Sequence, residues 1–141
     1  MKRTASAEWR GDLMNGAGTV STASGVLSGN PYSFRTRFGD TPGTNPEELL
    51  AAAHAGCFSM ALSAQLGNAK LTPENIRTTA VVTMDKLEAG WTITAVHLDV
   101  TAKVPGADPA AFTTAANNAK AGCPVSRVLN AKITMSAKLE S

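Results

Sequence analysis

Cys57 and Cys123 are the only cysteines in the sequence, and they stand too far apart to form a C-x-x-C pair or a zinc-ligand spacing. Cys57 lies inside AAAHAGCFSMALSAQLG, residues 51–67, a run with no formally charged side chain, and Cys123 falls between Gly122 and Pro124. Three chemistries are open to such thiols. Each is a small buried apolar residue, inert because apolar burial raises a thiol pKa; or the two form a structural disulfide, which fits poorly with a chain start, MKRTASAEWRGD, that turns polar before any signal-like apolar run; or one is oxidised to a sulfenic acid with which the other condenses. Gly122-Cys123-Pro124 predicts a helix start at Cys123, and a helix N-terminus favours a thiolate, so helix-end physics by itself makes Cys123 the activated sulfur. A buried thiolate at Cys57 would instead need a cation to offset its lost hydration. In PYSFRTRF, read as a strand, Arg35 and Arg37 alternate with Thr36 and share a face; Arg37 is the candidate cation and Arg35 is expected to be solvated. His54 precedes Cys57 by one helical turn, but His54 and His97 are the only histidines, so no metal is expected and His54 reads as a satisfied core residue.

The elements that would position these residues are readable from local signals. TASAEWR, GTVSTASGVL and PYSFRTRF, separated by DLMNG and SGNP, predict an antiparallel opening of strands and turns. TNPEELLAAAHAGCFSMALSAQLGNA predicts the longest helix, with Asn45 as cap, Pro46 at the first helical position, Glu47 and Glu48 at the positive end of the dipole, and Gly67 as its stop. IRTTAVVTMDKL and WTITAVHLDVTAKV alternate as strands joined by EAG. In the second, Val96, Leu98, Val100, Ala102 and Val104 share a face while Trp91, Ile93 and Ala95 have the opposite parity, which predicts a bulge near Ala95. DPAAFTTAANNAK predicts a helix capped by Asp108 and closed by Gly122, CPVSRVL a short turn, and AKITMSAKLES a closing strand. The first helix is apolar or small nearly all round from Leu49 to Ala64, so a second subunit is expected to cover the side its own sheet does not.

The bulk properties narrow the function classes. A chain of 141 residues with 43% hydrophobic and 17% charged residues suits one soluble domain spanning residues 1–141. A net charge of +2 with scattered basic residues gives no track for a phosphate backbone, so no nucleic acid is expected. The uncharged stretch 49–69 is interrupted by His54, Ser59, Ser63, Gln65 and Asn68 and has no apolar companion, so no membrane is expected and the chain is placed in a reducing cytoplasm.

GTNPEELLAAAHAGCFSMALS together with AGCPVSRVL resembles the OsmC/Ohr family, the osmotically inducible and organic hydroperoxide resistance proteins. The resemblance runs over essentially the whole chain, PYSFRTRF included, and lies closer to the OsmC branch. It implies an α+β fold with an antiparallel sheet packed on a long central helix, as an intertwined homodimer with the helices between two sheets. It also implies a cysteine-dependent peroxidase without cofactor, in which Cys57 is the peroxidatic thiol and Cys123 the resolving one. Arg37 would correspond to the arginine of the family's T-R-F segment, and Glu47 to the acidic residue of its N-P-E-E segment. The implied partners are an organic hydroperoxide and an external dithiol, of lipoyl type in the Ohr branch. Here the family pattern prefers Cys57 where helix-end physics prefers Cys123.

On that basis Phe34, Phe38, Phe58 and Met60 are candidates for an apolar mouth, with core packing the expected fate of Phe58 and Met60. Ten residues of one helix span about 15 Å, so Glu47 and Cys57 of one subunit could not both meet one arginine unless the helix kinks near Gly56. Completion of the site across the dimer is therefore expected. The competing function is a non-catalytic dimeric stress or binding protein on the same fold.

Overall fold

Asp12 makes the first turn of the chain. Its Oδ1 accepts the backbone N–H groups of Met14 and Asn15, each at 3.0 Å, and folds Ala5–Arg10 (β1) back onto Ala17–Thr22 (β2). These strands and Asn30–Tyr32 (β3) form an antiparallel sheet in the order β1-β2-β3. The Trp9 and Tyr32 rings meet with centroids 5.5 Å apart, and Gly18 lies against Tyr32: a Cβ there would come 2.5 Å from the ring, so the position admits no side chain. The computed structural model describes residues 1–140.

The third opening segment departs from the strand expected of PYSFRTRF. Only Asn30–Tyr32 is extended, and Phe34–Phe38 is a short helix (α1). Ser33 Oγ accepts the Thr36 N–H while Thr36 Oγ1 accepts the Ser33 N–H, a complete capping box that outweighs the period-two look of the sequence. On a helix, residues two apart do not share a face, so Arg35 and Arg37 diverge.

Asn45 opens the long helix Pro46–Asn68 (α2) by accepting the Glu48 N–H at 2.8 Å. Gly67 lies inside this helix rather than ending it. The stop is a Schellman turn, with the Leu71 N–H on the Leu66 carbonyl, the Lys70 N–H on the Gly67 carbonyl, and Lys70 itself left-handed at φ 60°. One edge of α2, His54, Phe58, Leu62 and Leu66, is buried, while Ala52, Ala53, Gly56, Met60, Ser63, Ala64 and Gly67 are exposed. By length and composition α2 could cross a membrane, but its buried edge belongs to a protein core.

The chain divides into two compact units, Met1–Leu49 and Leu50–Ser141, with α2 starting in the first. Among residues 1–49 only Gly18 is buried, and Leu13, Met14 and Val26 are 64, 58 and 84% exposed.

The second unit holds the hydrophobic core. Asn75–Leu87 (β4) pairs antiparallel with Gly90–Lys103 (β5), which lies at the centre of the order β4-β5-β6. Val96, Leu98, Val100 and Ala102 of β5 are fully buried on one face, as their alternation predicts. The register slips opposite Thr83 and Met84, leaving Thr94 extra beside Ala95, where the parity change predicts a bulge. Lys132–Glu140 (β6) pairs with β5 in parallel, which corrects the all-antiparallel expectation for this sheet. The crossover supplies Pro109–Gly122 (α3), capped by Asp108, and Pro124–Val128 (α4). Phe58, Leu62 and Leu66 of α2 cluster with the β5 face and with Phe112, Ala115, Ala116 and Ala119 of α3. Burying these apolar side chains is the main source of this unit's stability.

Candidate functional site

Cys57 lies on the half-buried flank of α2, one turn beyond His54. Cys123 joins two helices: its N–H donates to the Ala119 carbonyl at the end of α3, and its own carbonyl accepts the Arg127 N–H within α4. Pro124 fits this junction because the first helical position needs no N–H. The two sulfurs are 2.9 Å apart and both cysteines are free thiols, Cys57 partly accessible and Cys123 fully buried. A disulfide requires about 2.05 Å, so closing the pair needs a movement of only about 0.9 Å.

The electrostatics of Cys57 oppose ionisation within this pair. Burial is the largest cause pushing the Cys57 thiol above its ordinary pKa; its hydrogen bond with the Cys123 sulfur and, to a smaller extent, charge repulsion between the two add to it. One group pulls the other way, the backbone N–H of Val125, which hydrogen-bonds to Cys57. The first turn of α4 therefore presents a donor to Cys57, although the helix start belongs to Cys123. The N-terminus predicted at Cys123 exists, and its second residue faces Cys57.

His54 and Ser126 flank the thiols. Ser126 Oγ and His54 Nε2 share a hydrogen bond of 2.7 Å, and His54, fully buried, is the one buried polar residue of the core among the described residues. Among the described residues its Nδ1 has no partner, and burial holds its pKa below the usual histidine value, which favours the neutral ring. Among the described residues no three His, Cys, Asp or Glu side chains cluster in a way that would hold a metal ion.

The other two predicted residues also meet each other. Arg37 Nε lies 3.2 and 3.1 Å from the two Glu47 carboxylate oxygens, and its Nη2 is 2.7 Å from Oε1, a fork that fixes the guanidinium plane. Glu47 occupies the first turn of α2, and its side chain is 14% exposed against 37% for Arg37. Beside this pair Trp9, Leu13, Tyr32, Phe34 and Phe38 line a cavity of about 260 Å³, with the Arg37 guanidinium 5.3 Å from the Phe38 ring centre. Phe34 and Phe38 thus line an apolar hollow, and Phe58 is core as expected. Met60 is not core: it is 77% exposed. Arg35 is exposed. Sequence reasoning missed the Val125 N–H and Ser126. The Cys-Pro helix start pointed toward both, but a main-chain donor leaves no residue type to recognise.

A family model described as "OsmC-like protein" matches residues 38–138. The chain is 56% identical over 135 residues to "Peroxiredoxin OsmC" of Escherichia coli (strain K12), covering 96% of this chain and 94% of that one. It is 32% identical over 98 residues to "Organic hydroperoxide resistance protein" of Xanthomonas axonopodis pv. citri (strain 306), covering 69 and 67% of the two chains. Among solved structures, an OsmC-like protein of unknown function from Vibrio cholerae superposes with a TM-score of 0.78 at 16% identity, over 97% of this chain and 99% of that one.

Proposed function

The chain belongs to the OsmC-like protein family, and from that premise we propose that it is a cysteine-based peroxidase reducing organic hydroperoxides. The observation that carries the reading is the thiol pair: a half-buried Cys57 with the sulfur of the fully buried Cys123 2.9 Å from its own. That asymmetry suits a sulfur that must meet substrate and a second that must meet only the first. The names of the relatives, a peroxiredoxin and an organic hydroperoxide resistance protein, support the same substrate class.

In this reading the Cys57 thiolate attacks the terminal oxygen of ROOH. The O–O bond breaks, its electron pair leaves with the alkoxide, which takes a proton to become ROH, and Cys57 is left as a sulfenic acid. The Cys123 sulfur then attacks Cys57, releasing water and forming the disulfide. An external dithiol, of lipoyl type or similar, restores both thiols at the expense of its own oxidation. Arg37 stabilises the departing alkoxide and Glu47 holds its fork in plane, roles supported by the bidentate contact between them. The aromatic hollow beside Arg37 would take the alkyl group of the peroxide.

The site is read as completed across a homodimer of one-domain subunits of residues 1–141. Supporting this are the exposed small-residue face of α2, which would let a second backbone approach closely, and a first unit that buries only Gly18 and so has little core of its own. A reducing cytoplasm suits two free thiols.

The competing reading, a non-catalytic dimeric stress or binding protein, draws on the raised Cys57 pKa, because an inert packing thiol would show it too. Consumption of cumene hydroperoxide with dithiothreitol as reductant separates the two. The peroxidase reading requires Cys57→Ser to abolish turnover and Arg37→Ala to lower kcat/KM by about a hundredfold or more. Unchanged turnover in Cys57→Ser would remove it.

A further inference from the structure

A buried imidazole with one unpartnered nitrogen is an expensive way to fill a core position. Leaving a buried polar atom without a hydrogen bond destabilises a fold, and an apolar side chain of similar volume would fill the space without that penalty. His54 occupies such a position: it continues the buried α2 edge of Phe58, Leu62 and Leu66, yet its Nδ1 has no partner. The lower-cost tautomer carries its proton on Nε2, donating to Ser126 Oγ and leaving Nδ1 a bare lone pair.

The bond's location gives it a use. His54 lies one turn before Cys57 on α2, and Ser126 directly follows Val125 on α4, the helix that begins at Cys123. Two successive residues of α4 therefore grip two residues of α2 one turn apart. The Val125 N–H holds Cys57, Ser126 Oγ holds His54, and the Cys123 sulfur meets Cys57 beside them. α4 has no fully buried residue and rests on the core only through the partly buried Val125 and, just past its end, Leu129, so the His54 bond is the polar contact that fixes its tilt against α2.

We propose that His54, acting through Ser126, is the positioning residue of the thiol pair: the bond fixes α4 on α2 so that Cys123 is held at the distance from which it can close on Cys57. This rests on the reading of Cys57 and Cys123 as a redox couple. The linked step is Cys57–SH plus Cys123–SH plus oxidised dithiothreitol giving the intramolecular disulfide plus reduced dithiothreitol, two electrons and two protons passing to the reagent.

The test is a redox titration of the native protein against mixtures of oxidised and reduced dithiothreitol, alongside Ser126→Ala, Ser126→Thr and His54→Gln, with circular dichroism confirming that each is folded. Ser126→Ala is expected to disfavour the disulfide about tenfold, making the potential about 30 mV less negative. Ser126→Thr, which keeps the hydroxyl, should restore the native value, and His54→Gln, which keeps a donor near Nε2, should fall between. A change that lowered stability alone would leave the potential where it was. An unaltered potential in Ser126→Ala overturns the positioning role and leaves the peroxidase reading intact. A native protein that forms no Cys57–Cys123 disulfide overturns both.

Discussion

Replacing Cys123 by serine isolates what the 2.9 Å approach of the two sulfurs contributes. A sulfur confined within 2.9 Å of its target shares a sphere of about 100 Å³, a local concentration on the order of 10 M. Against about 1 mM external dithiothreitol the internal thiol then has an advantage on the order of 10⁴ in meeting an oxidised Cys57. Burial of Cys123 and its fixed orientation act on that figure in opposite directions, and a factor of about 100 is the least the geometry permits. The assay is direct. Native protein and Cys123→Ser are each treated with one equivalent of cumene hydroperoxide, quenched with dimedone after increasing delays, and read by intact mass. The sulfenic acid should vanish from the native protein before the first time point and persist in Cys123→Ser until the reductant reaches it. Comparable lifetimes, within about tenfold, would mean that the sulfurs do not meet in solution as they do in the fold.

Because burial depresses the His54 pKa below 6.5, the unfolded chain takes up the proton first as pH falls, so stability present above about pH 6.5 is lost on acidification; thermal melts from about pH 7.5 to about pH 5.5 should fall more steeply for the native protein than for His54→Gln. Lys70 carries a side chain at φ 60° in the Schellman turn, so Lys70→Gly should raise stability by about 0.5–1 kcal/mol, read as a higher urea midpoint with an unchanged slope; a lower midpoint would contradict the strain argument.

What the sequence made legible was local. Asn45 and Asp108 were readable as caps because a short polar side chain before an apolar run has few other uses, and both accept the N–H expected of them. The buried face of β5 and its slip near Ala95 were readable because side-chain parity is set by the backbone. The segment PYSFRTRF misled because large residues at every second position resemble a strand, whereas the reciprocal Ser33 and Thr36 bonds bend it into a helix. Gly67 misled in the opposite sense: the left-handed residue falls at Lys70, where Leu71 can reach the core. The direction of β6 was not legible at all, because alternation identifies a strand without naming its neighbour. For the candidate site, residue types picked out Cys57, Cys123 and Arg37 and the family resemblance added Glu47, two pairs that the fold brings into contact. The Val125 N–H carried no such mark.

The parallel pairing of β5 and β6 has a consequence for how the protein is made. Its last strand can join only after α3 and α4 have been laid down, since a parallel neighbour must be reached by a return crossing. Closing so long a stretch is slow relative to a hairpin such as β4 and β5. On the ribosome Cys57 emerges well before Cys123, the sulfur that would rescue it in the proposed cycle. An oxidant meeting the nascent chain finds a thiol with no companion, and the sulfenic acid formed there is open to irreversible over-oxidation.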